Sequence, residues 1–183
     1  MDTKNGKIKE LATLAGGCFW CLEAVFQQLR GVEKVVSGFS NGLIEKPTYR
    51  EVCTGMTGYA EVIQIEFDPN IISFDTLLNV FWNIHDPTTL NRQGNDVGTQ
   101  YRSGIYFHNE EQQEIAEASK VAAEAAGLYS GAIVTEILPI QNFFSADVYH
   151  QNYYNLNSKQ PYCTAVIGPK LAKFKKLFGE KIG

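Results

Sequence analysis

A glycine pair divides the segment LATLAGGCFWCLEAVFQQL, residues 11–29, into two stretches of different period. Before it, residues 11–15 form a short apolar run of the length of a buried strand. After it, Phe19, Leu22, Val25, Phe26 and Leu29 recur at three- and four-residue steps, which predicts a helix with one buried face. Cys18 therefore falls where a strand turns through Gly16 and Gly17 into the first turn of a helix. The amides of such a turn have no intrahelical partners, and the helix dipole adds partial positive charge. Both favour a thiolate, so the pKa of Cys18 is expected to lie below that of a free thiol. Cys21 follows one helical turn later, roughly 5–6 Å away between Cβ atoms, within disulfide reach after modest adjustment. The alternative is two buried cysteines acting as small apolar residues; the glycine pair and the helix-start position favour chemistry.

At 183 residues the chain is long enough for one domain with a full core, burying about 70% of the unfolded chain's surface. A net charge of −4 gives no electrostatic support to nucleic-acid or membrane binding. The opening residues, MDTKNGKIKE, carry no signal-peptide core, and no apolar run is long enough to span a bilayer, so a cytoplasmic address is expected. In a reducing compartment Cys18, Cys21, Cys53 and Cys163 are catalytic, metal-binding or buried rather than a disulfide framework. Only one C-x-x-C is present, and His85, His108 and His150 are scattered, so the spacing gives little support to a metal site.

Further along, Gly31 is a natural helix stop, and residues 32–39 read as a strand. Residues 40–57 are turn-rich. In residues 60–67 the alternation puts Val62, Gln64 and Glu66 on one face and Glu61, Ile63, Ile65 and Phe67 on the other. Ser73 can cap a helix carrying Phe74, Leu77, Leu78 and Phe81, ended by Asp86–Pro87. Residues 87–100 are polar and aperiodic, and their Arg92, Gln93, Asp96 and Gln100, followed by Tyr101 and Arg102, suit a binding loop. A strand over 104–108 precedes an Asn109-capped helix to Ala126, then a final strand over 133–138. The remainder predicts a helix over 146–154, an irregular stretch to Cys163 and a basic amphipathic helix over 171–178. This order predicts one α+β domain over 1–183, a two-layer α/β plait with a ferredoxin-like core and an irregular C-terminal tail.

Glu61 shares its strand face with Ile63, Ile65 and Phe67, a face that should point into the core. Desolvation disfavours the charged carboxylate, so its pKa should be raised, and a carboxyl still protonated near neutrality can act as a general acid. Alternatively, Glu61 begins the strand, bends to solvent or pairs with an arginine. A cysteine made easier to ionise beside a glutamate made harder to ionise suits attack at a polar electrophile whose leaving oxygen needs a proton.

Several long motifs then agree with one family in its order: GCFW at 17–20, PTYREVC at 47–53, TGYAEV at 57–62, FWNIHDP at 81–87, RQGNDVGTQYRS at 92–103, DVYHQNYY at 147–154 and PYC at 161–163. Over nearly its whole length the chain resembles the peptide methionine sulfoxide reductases of the A type. The resemblance implies an α/β plait in which Cys18 attacks the sulfoxide sulfur of the S epimer, free or in oxidised proteins. It implies that Phe19 and Trp20 wall in the substrate's S-methyl group, that Glu61 protonates the sulfoxide oxygen held by Tyr49 and Tyr101, and that Asp96 organises the site. Methionine would leave a sulfenic acid on Cys18, and a second cysteine would condense with it. Thioredoxin, or dithiothreitol in its place, would then open the disulfide. The resemblance implies no cofactor, no metal and no nucleic-acid or membrane partner, and a monomer is expected.

The chain departs from the family pattern at Cys21, where many members have glycine and a subset has its resolving cysteine. Cys163 occupies the place of a C-terminal resolving cysteine in other members. Proximity favours a first Cys18–Cys21 disulfide, with Cys163 passing the bond outward; a mobile tail cysteine would avoid straining the helix. Phe39 and Tyr59 stand where tyrosine and histidine are frequent and are expected to change the rim only. Cys53 is expected in the interior, and His150 is either at the site or structural. Three other readings compete: a thioredoxin-like dithiol oxidoreductase, a thiol hydrolase needing a histidine beside Cys18, and a non-enzymatic zinc-binding module.

Overall fold

The computed structural model describes residues 8–183. Residues 1–7, which open the segment behind the cytoplasmic expectation, lie outside the described residues. The order of elements is β1 (Glu10–Gly16), α1 (Phe19–Phe26), β2 (Val32–Ser40), α2 (Tyr49–Cys53), β3 (Ala60–Phe67) and α3 (Phe74–Ile84). There follow β4 (Arg92–Gln93), β5 (Asp96–Val97), β6 (Ser103–Phe107), α4 (Glu110–Ala125), β7 (Glu136–Pro139), β8 (Phe143–Ser145), α5 (Tyr153–Asn157) and α6 (Gly168–Phe178). A six-stranded sheet runs β7-β6-β1-β3-β2-β8, antiparallel throughout except for the β6–β7 pair. The result is a mixed α/β fold.

β3 is central and both of its faces are covered. Ile63, Ile65 and Phe67 join the main core with Leu22, Val25 and Phe26 of α1, while Val62 and Ala60 pack on the opposite face with Ala15 and Tyr106. α1 is not the one-faced helix that its spacing predicts: every residue from Phe19 to Phe26 except Trp20 is buried. Its inner side packs on β2 and β3, and α5 and α6 cover its outer side. Truncating a fully buried ring such as Phe26 would cost about 3–5 kcal/mol.

That cover corrects the expected irregular tail. Residues 146–154 form a 3₁₀ turn (Val148–His150) and then α5, separated by Asn152 in the left-handed region at φ 54°. Helix continues from residue 161 through 178, with a π-helical turn at Cys163–Ile167 where the Gly168 amide bonds the Cys163 carbonyl. The cause is Pro169, which lacks an N–H and whose ring would press on the carbonyl four residues back; widening to i→i+5 relieves both.

Three other segments differ from expectation. The turn-rich 40–57 contains α2, capped by Thr48 and Glu51 in reciprocal hydrogen bonds. The stretch 87–100 holds the β4–β5 hairpin and the start of a 3₁₀ turn at Thr99–Tyr101. The strand expected over 133–138 is β7, and it is not the last, since β8 follows and pairs with β2. The caps expected at Ser73 and Asn109 form, accepting from the amides of Thr76 and Gln112. No helix among the described residues is long and apolar enough to cross a membrane.

Candidate active site

Cys18 is the N-cap of α1, with extended backbone at φ −59° and ψ 125°. The turn that delivers it requires Gly17, whose φ is +92° and whose added Cβ would lie 2.6–2.7 Å from Gln93 carbons. Gln93 is held by both backbone polar groups of Asp86: the Asp86 amide donates to Oε1 at 3.0 Å, and Nε2 donates to the Asp86 carbonyl at 2.9 Å. The β4–β5 hairpin is thus clamped against the cysteine turn. Cys18 itself is only 8% exposed. Burial pushes its thiol well above the ordinary value, with Cys21 and Glu61 pushing the same way, and the Trp20 amide is the opposing influence. The helix-start effect expected from the sequence is therefore present but outweighed by desolvation. Cys18 is thus held as a thiol near neutrality.

Glu61 reaches the same turn from β3, opposite Phe39 of β2. It is fully buried; Oε1 accepts from the Phe19 amide at 3.2 Å, and Oε2 has no partner among the described residues. Burial raises its pKa to about 8, the Phe19 amide lowers it, and the charges of Asp96 and Cys21 raise it further. The carboxyl is thus protonated at neutral pH, with an oxygen left free to donate. It does not bend to solvent, and no arginine among the described residues pairs with it.

Aromatic rings enclose this pair. Phe19 packs against Phe39 at 5.7 Å and Tyr49 at 6.2 Å between centroids. Trp20 lies flat on Tyr153 at 3.7 Å, and its indole N–H donates to His150 Nδ1 at 3.2 Å. His150 in turn packs on Tyr49 at 4.2 Å, so it belongs to the site wall. Glu23, on the buried surface of α1, accepts from the Tyr153 amide at 3.1 Å and the Ser37 hydroxyl at 3.3 Å, fixing α5 over Trp20. Tyr49 opens α2 and Tyr101 closes the 3₁₀ turn; burial holds both hydroxyls far above their ordinary pKa, and the Glu61 charge adds to this. Both phenols therefore keep their protons near neutrality. Phe39 and Tyr59, expected at the rim, are core residues with 1% exposure each.

On the other side of Cys18 lies a cavity of about 290 Å³ lined by Gln93, Asp96, Tyr162, Val166 and Lys170 among others. The Tyr162 hydroxyl donates to Asp96 Oδ2 at 2.7 Å and stands 3.7 Å from the Cys21 sulfur. Contact with the Cys18 thiol draws Cys21 down to about 7, against burial, with Lys170 and Tyr162 assisting. Tyr162 and Lys170 are not among the expected site residues, because Tyr162 lies in the stretch expected to be irregular and Lys170 just before the amphipathic helix expected over 171–178. Tyr162 does adjoin Cys163 in PYC, the one signal available.

Cys163 starts the π turn fully buried, not on a mobile tail, whereas Cys53, expected inside, is exposed. The histidines are engaged elsewhere than at Cys18. His85 bonds the Phe81 carbonyl and Ser103 at 2.6 and 2.8 Å, His108 bonds Thr13 at 2.9 Å, and His150 accepts from Trp20. A Cys–His hydrolase has no base here. Among the described residues no three His, Cys, Asp or Glu side chains are grouped to hold a metal.

The family model described as peptide methionine sulfoxide reductase matches residues 10–182. A relative from Saccharolobus solfataricus named peptide methionine sulfoxide reductase MsrA is 53% identical over 173 residues, covering 94% of this chain and 97% of that protein. One of the same name from Deinococcus radiodurans is 49% identical, covering 98% and 87%. Among solved structures, Mxr1 from Saccharomyces cerevisiae in reduced form superposes with a TM-score of 0.78 at 36% identity, over 88% of this chain and 92% of that one. Mxr1 in complex with Trx2 superposes with a TM-score of 0.55 at 28% identity, over 84% and 89%. Matched over almost its whole length by that family model and by relatives about half identical to it, this chain belongs to the peptide methionine sulfoxide reductase family.

Proposed function

We propose that residues 1–183 form one catalytic domain that reduces the S epimer of methionine sulfoxide, free and in oxidised proteins, with Cys18 as nucleophile and Glu61 as acid. The observation that carries these roles is the Glu61 carboxyl, fully buried, bound to the amide next to Cys18 and left with a free oxygen. Phe19 and Trp20 provide the apolar wall for the S-methyl group. As the Cys18 sulfur attacks the sulfoxide sulfur, Glu61 delivers its proton to the oxygen, which Tyr49 and Tyr101 hold with their hydroxyls. The Cys18 proton returns to Glu61; the hydroxyl then moves to the Cys18 sulfur, a new S–O bond forming as the old S–O bond and the transient S–S bond break, so that a sulfenic acid is left on Cys18 and methionine departs. Coupling the two transfers suits a thiol that burial keeps protonated until substrate arrives.

Cys21 then condenses with the sulfenic acid, releasing water, and Cys163 receives the disulfide and passes it to thioredoxin. The electrostatic coupling of Cys163 to Cys21 supports this second position in the chain of exchange, and its burial means that the π turn opens before thioredoxin reaches it. The solved complex of Mxr1 with Trx2 supports thioredoxin as reductant, and no cofactor enters the reaction. The inner strands β6-β1-β3-β2, with α1 after β1 and α3 after β3, support a ferredoxin-like core. The four free cysteines support a cytoplasmic location. The test is turnover with dithiothreitol on separated epimers: selective consumption of the S epimer is expected. Equal consumption of both, or of neither, would overturn the reading.

A further inference from the structure

We propose that Tyr162 and Asp96 form a proton relay that activates Cys21 as the thiol closing the first disulfide with Cys18. The inference rests on the sulfenic-acid reading above and adds residues that it does not contain. Its basis is hydrogen-bond accounting. A phenol has one proton, and that of Tyr162 is directed to Asp96 Oδ2 at 2.7 Å. While that proton stays directed at Asp96, the Tyr162 oxygen faces Cys21 at 3.7 Å as an acceptor, so in this state the Cys21 S–H is the donor. The three groups therefore form a directed chain from Cys21 through Tyr162 to Asp96.

In the second half-reaction the Cys21 proton passes to the Tyr162 oxygen as the Tyr162 proton passes to Asp96. The Cys21 sulfur attacks the Cys18 sulfur, an S–S bond forms, the S–OH bond breaks, and the departing hydroxide takes the proton from Asp96 to leave as water. The Cys21 sulfur is oxidised and the sulfenic sulfur of Cys18 reduced by one electron each, while the oxygen leaves at the oxidation level of water. The cavity of about 290 Å³ shared by Cys18, Asp96 and Tyr162 has room for that hydroxide and opens on the Lys170 ammonium, which favours the sulfur anion. The groups facing Cys21 are Cys18, Tyr162, Asp96, Lys170 and the buried Glu61, with Cys163 on the helix beyond. Ring strain is also limited. Cys18 is the extended N-cap rather than a helical residue, so pairing it with Cys21 does not require unwinding a full turn.

The experiment mixes one equivalent of methionine sulfoxide with wild type, Tyr162→Phe, Asp96→Asn and Cys21→Ser, without reductant. It follows methionine release, trapped sulfenic acid and mapped disulfides from pH 6 to 9. The phenylalanine keeps the edge-on contact with Trp20 at 6.0 Å, and the asparagine still accepts the phenol proton but cannot be protonated itself. In both, the ratio of disulfide closure to methionine release is expected to fall roughly 10²-fold. Sulfenic acid should accumulate, and closure should gain roughly tenfold per pH unit below the pKa of Cys21 and level off above it, as solvent replaces the relay. If either variant closes at the wild-type ratio, or if Cys21→Ser forms Cys18–Cys163 at the wild-type rate, the relay is wrong. If wild type releases no methionine, the sulfenic-acid reading itself has failed. Should Tyr162→Phe not fold, Asp96→Asn carries the test.

Discussion

Replacing Glu61 with glutamine should uncouple stability from pH in a calculable way. The carboxyl has a folded pKa of about 8 against 4.5 when unperturbed, so between those values the folded chain retains a proton that the unfolded chain has lost. Stability therefore falls as pH rises from near 4.5 and levels off above 8. The full shift corresponds to about 5 kcal/mol, at 1.36 kcal/mol per pKa unit, and about 3 kcal/mol of it is already felt at pH 7. No discount for solvent screening applies to a side chain with 0% exposure. Glutamine keeps an acceptor for the Phe19 amide but cannot ionise. Its own pH-independent cost, an amide N–H₂ where Oε2 had no partner, cancels when only the pH dependence is compared. Urea unfolding of both proteins from pH 5 to 8 is therefore expected to show the variant gaining about 3–4 kcal/mol on wild type. Parallel curves would mean that Glu61 ionises as readily in the folded state as outside it, and the acid role would fall with them.

The same substitution should slow single-turnover methionine release by roughly 10²–10⁴-fold, the usual worth of a general acid; equal rates at pH 6–8 would exclude that role. Gly17→Ala should lose at least about 1–3 kcal/mol of stability in urea titration, because its positive φ and the Gln93 contact admit no methyl group. In thiol labelling of the native protein Cys53 should react first and Cys163 roughly 10²-fold or more slowly, after local opening of the π turn; comparable rates would show that the tail is mobile after all.

What could be read in the sequence was whatever a local pattern determines. The period change at Gly16–Gly17 placed Cys18 at a helix start, the alternation through Ile63, Ile65 and Phe67 pointed Glu61 inward, and Ser73 and Asn109 marked their helices. The Thr48–Glu51 capping box was equally local, but it was masked by Asn41–Gly42 and Pro47 in a segment rich in turn residues. What escaped was tertiary. Nothing in the spacing of α1 tells that α5 and α6 will bury its second side, and that burial is what outweighs the helix-start effect on Cys18. Tyr162 met Cys21 across 141 positions, a contact that no periodicity encodes. The order of residues 161–167 depends on Pro169 forcing a wider turn, which reads as disruption until the helix on both sides is seen.

The most direct test of the account is stoichiometry in a single turnover. With one equivalent of S-methionine sulfoxide and no reductant, wild type should yield one methionine and lose two thiols, whereas Cys18→Ser yields none. Methionine formed by a folded Cys18→Ser protein, or formed by wild type with all four thiols still titratable and no sulfenic acid trapped, would contradict it.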